Sequence, residues 1–170
     1  MNILLLGIMG SGKTTTGKAL AQNLEFKFIE QDEQTLERCG LQNSSQLSEQ
    51  RQTLWKEAEL EVSKDLSFDI HQVVACSGSV VENELNLLYF QENSKNLKII
   101  YLYASPETLV SRVASRYTHL PDFNLEPIQF KIQKMFARRD LIYRDFANLI
   151  IDTGDNTLEK NVDLIQQQLR

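Results

Sequence analysis

The sequence predicts an α/β fold: a five-stranded parallel sheet covered on both faces by helices, in three layers. Three observations carry that expectation. Short apolar runs alternate along the chain with stretches whose apolar residues recur at helical spacing. The first run leads directly into a glycine-rich loop, Gly7-Ile8-Met9-Gly10-Ser11-Gly12-Lys13-Thr14, and then into a helical pattern. No repeat, low-complexity tract or Pro/Gly/Ser linker divides the 170 residues, so 1–170 reads as one domain.

The elements follow in order. Ile3-Leu4-Leu5-Leu6 suits a buried strand, and Ala19, Leu20 and Leu24 mark the helix after the loop. Phe26-Lys27-Phe28-Ile29 reads as a second strand. A long polar helix pattern runs from about 45 to 66, with Leu47, Leu54, Leu60 and Val62 among its apolar positions. Gln72–Cys76, Lys98–Tyr103 and Asn148–Ile151 are the third, fourth and fifth strands. Helical stretches lie near 80–91, 106–117, 127–146 and 157–169, with Ser105 placed to cap the second of these and Pro106 at its first position.

Composition excludes several classes. The net charge of −5 argues against a general nucleic-acid binder, which would show a basic face. No stretch approaches a membrane span, and the first apolar run is too short and lacks a basic flank for a signal peptide. Cys39 and Cys76 are far apart and in no metal-like spacing, which fits two reduced thiols in a cytoplasmic protein.

Residues 7–14 match G-x-x-x-x-G-K-[ST] with a strand before and a helix after. The glycines let the backbone approach an anion closely, and the loop N–H groups with the helix N-terminus present donors to phosphate. Gly10, Ser11, Gly12, Lys13, Thr14 and Thr15 are therefore the candidate nucleotide-phosphate residues. Lys13 can bridge the outer phosphates, and the Thr14 hydroxyl can ligate Mg²⁺.

In parallel α/β sheets ligands bind at the carboxyl ends of strands. After strand two come Glu30, Asp32 and Glu33, which could hold Mg²⁺ or orient a hydroxyl, or simply open a helix with Asp32 as its cap. Ser77-Gly78-Ser79 follows strand three, placed to contact a substrate or to cap a helix. Asp155 and Asn156 follow strand five, where a nucleotide base could rest. Arg112 and Arg116 share a helix face, and Arg138, Arg139 and Arg144 sit late in the next helix. These are the cations available to a transferred phosphoryl group. The aperiodic stretch Tyr117–Asn124 suits a lid that excludes water.

Read together, these pieces resemble the shikimate kinase family almost end to end. Phe28-Ile29-Glu30-Gln31-Asp32 is similar to the family's F-[IV]-D-x-D, and Trp55-Lys56-Glu57-Ala58-Glu59 falls at its F-R-x-x-E. Val74-Ala75-Cys76-Ser77-Gly78-Ser79-Val80-Val81 resembles I-A-T-G-G-G-x-V, and Arg139-Asp140-Leu141-Ile142-Tyr143 and Ile150-Ile151-Asp152-Thr153 complete the order. The resemblance implies a P-loop NTPase fold with a helical substrate-binding insertion at about 31–66 and a lid at about 113–126. It implies a monomer using ATP and Mg²⁺ to phosphorylate the 3-hydroxyl of shikimate.

By position, Lys13 and Thr14 would serve ATP and Mg²⁺, with Glu30 and Asp32 near the metal. Asp32 would contact substrate hydroxyls and act as base, while Arg139 would grip the carboxylate. Arg112 would stack on adenine, with Asp155 and Asn156 opposite. Lys56, Ser77, Gly78 and Ser79 would border the acceptor.

Four departures separate this chain from the family pattern. Glu30 stands for the first aspartate and Lys56 for an arginine, losing its bidentate fork. Ser77 and Ser79 replace two glycines, which would strain the loop if those positions need φ > 0. Leu120-Pro121 aligns with the lid's R-P pair, leaving Arg116 and His119 as the nearest basic groups. Alternatives to shikimate are another small polar acceptor, such as a sugar acid, or a weakly catalytic nucleotide-binding relative.

Overall fold

The computed structural model describes residues 1–42, 52–66, 70–117 and 127–169, with backbone only at 115–117. Five strands form one parallel sheet: β1 (Asn2–Leu6), β2 (Lys27–Glu30), β3 (Gln72–Ala75), β4 (Leu97–Tyr103) and β5 (Leu149–Asp152). Their order is β2-β3-β1-β4-β5, so β1 is central. Between them run α1 (Lys13–Leu24), α2 (Gln31–Arg38), α3 (Gln52–Lys64), α4 (Glu84–Glu92), α5 (Pro106–Tyr117) and α6 (Ile128–Phe146), with α7 (Leu158–Leu169) closing the chain.

The apolar run that opens the chain is the centre of the fold. Side chains alternate across a strand, so Leu4 and Leu6 enter one core with Val74, Tyr101, Leu109, Ile132 and Tyr143. Ile3 and Leu5 enter the other with Leu20, Val73, Ile100, Val162 and Ile165. All four are at most 1% exposed. Burying each is worth roughly 1.5–3 kcal/mol. Both faces are covered, which is why β1 reads as a continuous apolar run rather than an alternating one. Among the described residues no helix is long and apolar enough to cross a membrane.

Several boundaries differ from those the sequence suggests. The helix expected over 45–66 is α3, Gln52–Lys64, and 43–51 lie outside the described residues. The acidic stretch after strand two opens the short helix α2. Its cap position is Glu30 rather than Asp32, because Glu30 still pairs in the sheet, opposite Ala75. The helix expected near 80–91 is broken: a single 3₁₀ turn, Val80–Glu82, precedes Asn83, whose Oδ1 accepts the Leu85 amide and restarts the chain as α4. Ser105 does cap α5, accepting from the Thr108 amide at 3.2 Å.

Candidate active site

The loop from β1 to α1 is wound tightly by two left-handed glycines, Gly10 (φ 85°) and Gly12 (φ 93°). A Cβ at Gly10 would lie 2.8 Å from Val113 Cγ2 of α5, so space as well as dihedral requires glycine there. The Ser11 amide donates to Ile8 O at 3.0 Å and the Thr16 amide to Gly12 O at 2.8 Å, closing the loop onto the helix. Lys13 arches back over it, its Nζ donating to Gly7 O at 2.7 Å and lying 3.5 Å from Ile8 O. Burial pulls the Lys13 pKa down, and the nearby carboxylates of Asp32 and Glu30 oppose that pull.

Strand ends bring the acidic residues to the same place. Thr14 hydrogen-bonds the Glu30 carboxylate, whose Oε2 is buried without a partner among the described residues. Burial pushes the Glu30 pKa up, and the Thr14 bond and Lys13 work against it. No group of three or more His, Cys, Asp or Glu that could hold a metal occurs among the described residues. The donors present are the Thr14 hydroxyl, the orphaned Glu30 oxygen and Asp32. That oxygen-only set suits a hard cation completed by phosphate and water.

A cleft of about 340 Å³ joins Lys13 and Asp32 to Trp55, Ser77, Gly78, Ser79 and Arg139. Arg139 reaches it from α6. Its Nε donates to Glu82 Oε1 at 2.8 Å, and Arg138 approaches the same oxygen at 3.5 Å. A Cβ at Gly78 would sit 3.1 Å from Arg139 Nη1, so this glycine permits the close approach. The guanidinium partner holds the Glu82 carboxyl below its usual range despite partial burial. Arg144 lies apart, paired with Asp140 at 2.8 Å and placed over Tyr103.

The serines carry no backbone strain. Ser79 has φ −89°, and the single non-glycine residue with positive φ among those described is Glu25. Their hydroxyls lie 3.0 Å apart, and Ser79 Oγ donates to Glu59 Oε1 at 2.7 Å. The Ser77 amide donates to Gln31 Oε1 at 2.9 Å. Glu59 is fully buried, and its Oε2 accepts from Asn86 Nδ2 at 3.0 Å. Gln31, Trp55 and Glu59 thus join the site without having been assigned a role from sequence. The available signal was that Trp55 and Glu59 are four apart and share a helix face.

Lys56 is exposed and does not line the cleft. Helix α3 buries Trp55, Ala58, Glu59 and Val62, so the residue after Trp55 is rotated about 100° toward solvent.

On the other side of the loop, a cleft of about 170 Å³ is bordered by Gly10, Ser11, Gly12, Thr15, Arg112 and Asn156, among others. Arg112 donates to Gly10 O (3.4 Å), Thr153 O (2.5 Å) and Gly154 O (3.1 Å), bridging the phosphate loop and the loop after β5. Asn156 donates to Asp152 O at 2.7 Å, whereas Asp155 is exposed and does not border this cleft. The Arg116 side chain and 118–126, which hold most of the expected lid, lie outside the described residues. A roomier cleft of about 490 Å³ opens beside Lys27 and Gln72, at the amino ends of β2 and β3, and includes no phosphate-loop residue.

Comparison with known proteins agrees with this fold. The family model described as shikimate kinase matches residues 9–170. The shikimate kinase of Enterococcus faecalis is 30% identical over 171 residues, covering 99% of this chain and 98% of that one. That of Ralstonia nicotianae is 29% identical, covering 99% and 86%. The solved structure of shikimate kinase from Acinetobacter baumannii in complex with shikimate superposes with a TM-score of 0.85 at 25% identity, covering 99% of this chain and 92% of that one. A family match spanning nearly the whole length, on a fold that carries a phosphate loop, a strand-end carboxylate pair and an arginine-bordered cleft, places this chain in the shikimate kinase family.

Proposed function

We propose that this protein transfers the γ-phosphoryl group of ATP to a hydroxyl of shikimate. The observation that carries the reading is that Lys13 lines the acceptor cleft while its own loop borders the nucleotide cleft, so donor and acceptor meet at one ammonium.

The loop amides from Gly10 to Thr15 and the positive end of α1 bind the phosphates. Lys13 leaves its carbonyl partners for the β- and γ-oxygens and neutralises charge as it develops. Thr14, Glu30 and Asp32 would hold Mg²⁺, which when bound screens the phosphate charge. Asp32 orients the acceptor hydroxyl and takes its proton as the new P–O bond forms and the bond to ADP breaks. Arg139, charged and braced by Glu82, pairs with the acceptor carboxylate. Ser77, Gly78 and Ser79 form the wall beside it. Arg112 and Asn156 flank the base, with Asp155 at the rim. Arg116 is the described helix's candidate for a cation on the transferring group. Lys56 takes no part in this reading.

The test is ADP release coupled to a spectrophotometric assay, with ATP and Mg²⁺, with and without shikimate. Shikimate-dependent turnover that Lys13→Ala abolishes supports the proposal. Tight ATP binding with no turnover on shikimate would overturn it.

A further inference from the structure

Helix α3 and the acceptor loop are joined by a buried polar network whose centre has no charged partner. Glu59 is 0% exposed, and the groups that satisfy it are neutral: Ser79 Oγ on Oε1 and Asn86 Nδ2 on Oε2. Gln31, also buried, extends the network by donating to Ser63 Oγ at 2.9 Å and accepting the Ser77 amide at 2.9 Å. A carboxylate in such a place is costly unless every oxygen is satisfied. Burial accordingly pushes the Glu59 pKa up, while its Ser79, Ser77 and Trp55 contacts oppose the shift.

The hydrogen-bond count says what the serines do. Ser79 has one hydroxyl hydrogen, and it goes to Glu59 at 2.7 Å. Its oxygen accepts from Trp55 Nε1 at 3.4 Å and meets Ser77 Oγ at 3.0 Å. Ser77 Oγ in turn faces the Ser79 amide at 3.4 Å. Both hydroxyls are therefore turned inward, toward Glu59 and each other, and have no hydrogen left for an acceptor in the cleft.

We infer that Glu59 is a positioning residue for phosphoryl acceptance: through Ser79 it fixes the loop Ser77–Ser79, and with it the Gly78 backbone and the Trp55 ring that border the acceptor. The serines take the place of glycine not to read the substrate but to tie the loop to a buried anchor. This rests on the shikimate kinase reading above. Restoring glycine at 79 should therefore weaken acceptor binding, because it takes the Ser79 hydroxyl away from Glu59 Oε1.

Asn86 supplies a discriminating variant. Its Oδ1 is buried without a partner among the described residues. Glu59→Gln can be accommodated by turning the Asn86 amide over, so that Asn86 Oδ1 takes the place of Nδ2 and accepts from the new amide while the Gln carbonyl still accepts from Ser79. Glu59→Ala removes the acceptor of both the Ser79 hydroxyl and Asn86 Nδ2.

The experiment measures KM for shikimate, KM for ATP and kcat in the wild type, Ser79→Ala, Glu59→Ala and Glu59→Gln. Trp55, the single tryptophan of the chain, reports acceptor binding by fluorescence. Ser79→Ala and Glu59→Ala should raise the shikimate KM about tenfold with the ATP KM within about twofold, and Glu59→Gln should stay within about threefold of wild type. An unchanged shikimate KM in Ser79→Ala, an ATP KM that rises equally, or a Glu59→Gln as impaired as Glu59→Ala overturns the positioning role. Ser79→Ala decides alone if Glu59→Ala does not fold. Wild-type protein with no shikimate-dependent turnover instead sinks the kinase reading, and the positioning role falls with it.

Discussion

The Tyr143 hydroxyl donates to Gly78 O at 2.7 Å and lies 3.4 Å from Gly7 O. A single buried phenol on α6 thus touches both the phosphate loop and the loop Ser77–Ser79. Burial raises its pKa, so it stays a neutral donor throughout the physiological range. Tyr143→Phe should cost about 1–3 kcal/mol of stability, because Gly78 O is left without its partner. Denaturant unfolding of the two proteins, with equal m-values, checks this.

Gly78 lies in an ordinary backbone conformation, and its lack of a side chain leaves room for Arg139. A methyl group there would stand 3.1 Å from Arg139 Nη1 and displace the guanidinium. Gly78→Ala should raise the shikimate KM about tenfold and leave the ATP KM nearly unchanged. Steady-state kinetics with each substrate varied would show it, and a matching rise in both constants would contradict the assignment.

Arg112 gives the converse split. It fastens Gly10 to the loop carrying Thr153 and Gly154, on the nucleotide side alone. Arg112→Ala should weaken ATP about tenfold and the acceptor less than about twofold. Isothermal titration with ADP is the direct measurement.

Lys56→Arg should change neither KM by more than about twofold, since the side chain is exposed and outside the cleft. The same kinetic assay checks it. A marked fall in the shikimate KM would mean that α3 rotates when the acceptor binds.

Glu30 links function to stability through pH. Its folded pKa lies above the ordinary carboxylate value, chiefly through burial. The folded state then binds its proton more tightly than the unfolded state. Stability therefore falls as pH rises from the ordinary carboxylate pKa through the raised folded one. Glu30→Gln should flatten that slope and raise the Tm at neutral pH by a few degrees, while lowering kcat at limiting Mg²⁺. Thermal melts and pH–rate profiles of both proteins separate the two effects.

The sequence by itself determined the elements and marked the phosphate loop as the candidate donor site. Their signals are local: the alternation of β1 between two cores, the glycines that admit left-handed dihedrals, and Lys13-Thr14 at the start of α1 all lie within a dozen residues. The Ser105-Pro106 pair likewise marked the cap of α5. Tertiary structure alone decided how the proposed acceptor side is built. Glu59 meets Ser79 and Asn86, Gln31 meets Ser77, and Arg139 meets Gly78 across twenty to sixty residues of chain, through contacts that no local spacing encodes. It also turned Lys56 to solvent and set the serines in ordinary dihedrals, because the packing of α3 against the 3₁₀ turn and α4 fixes which side chains face inward.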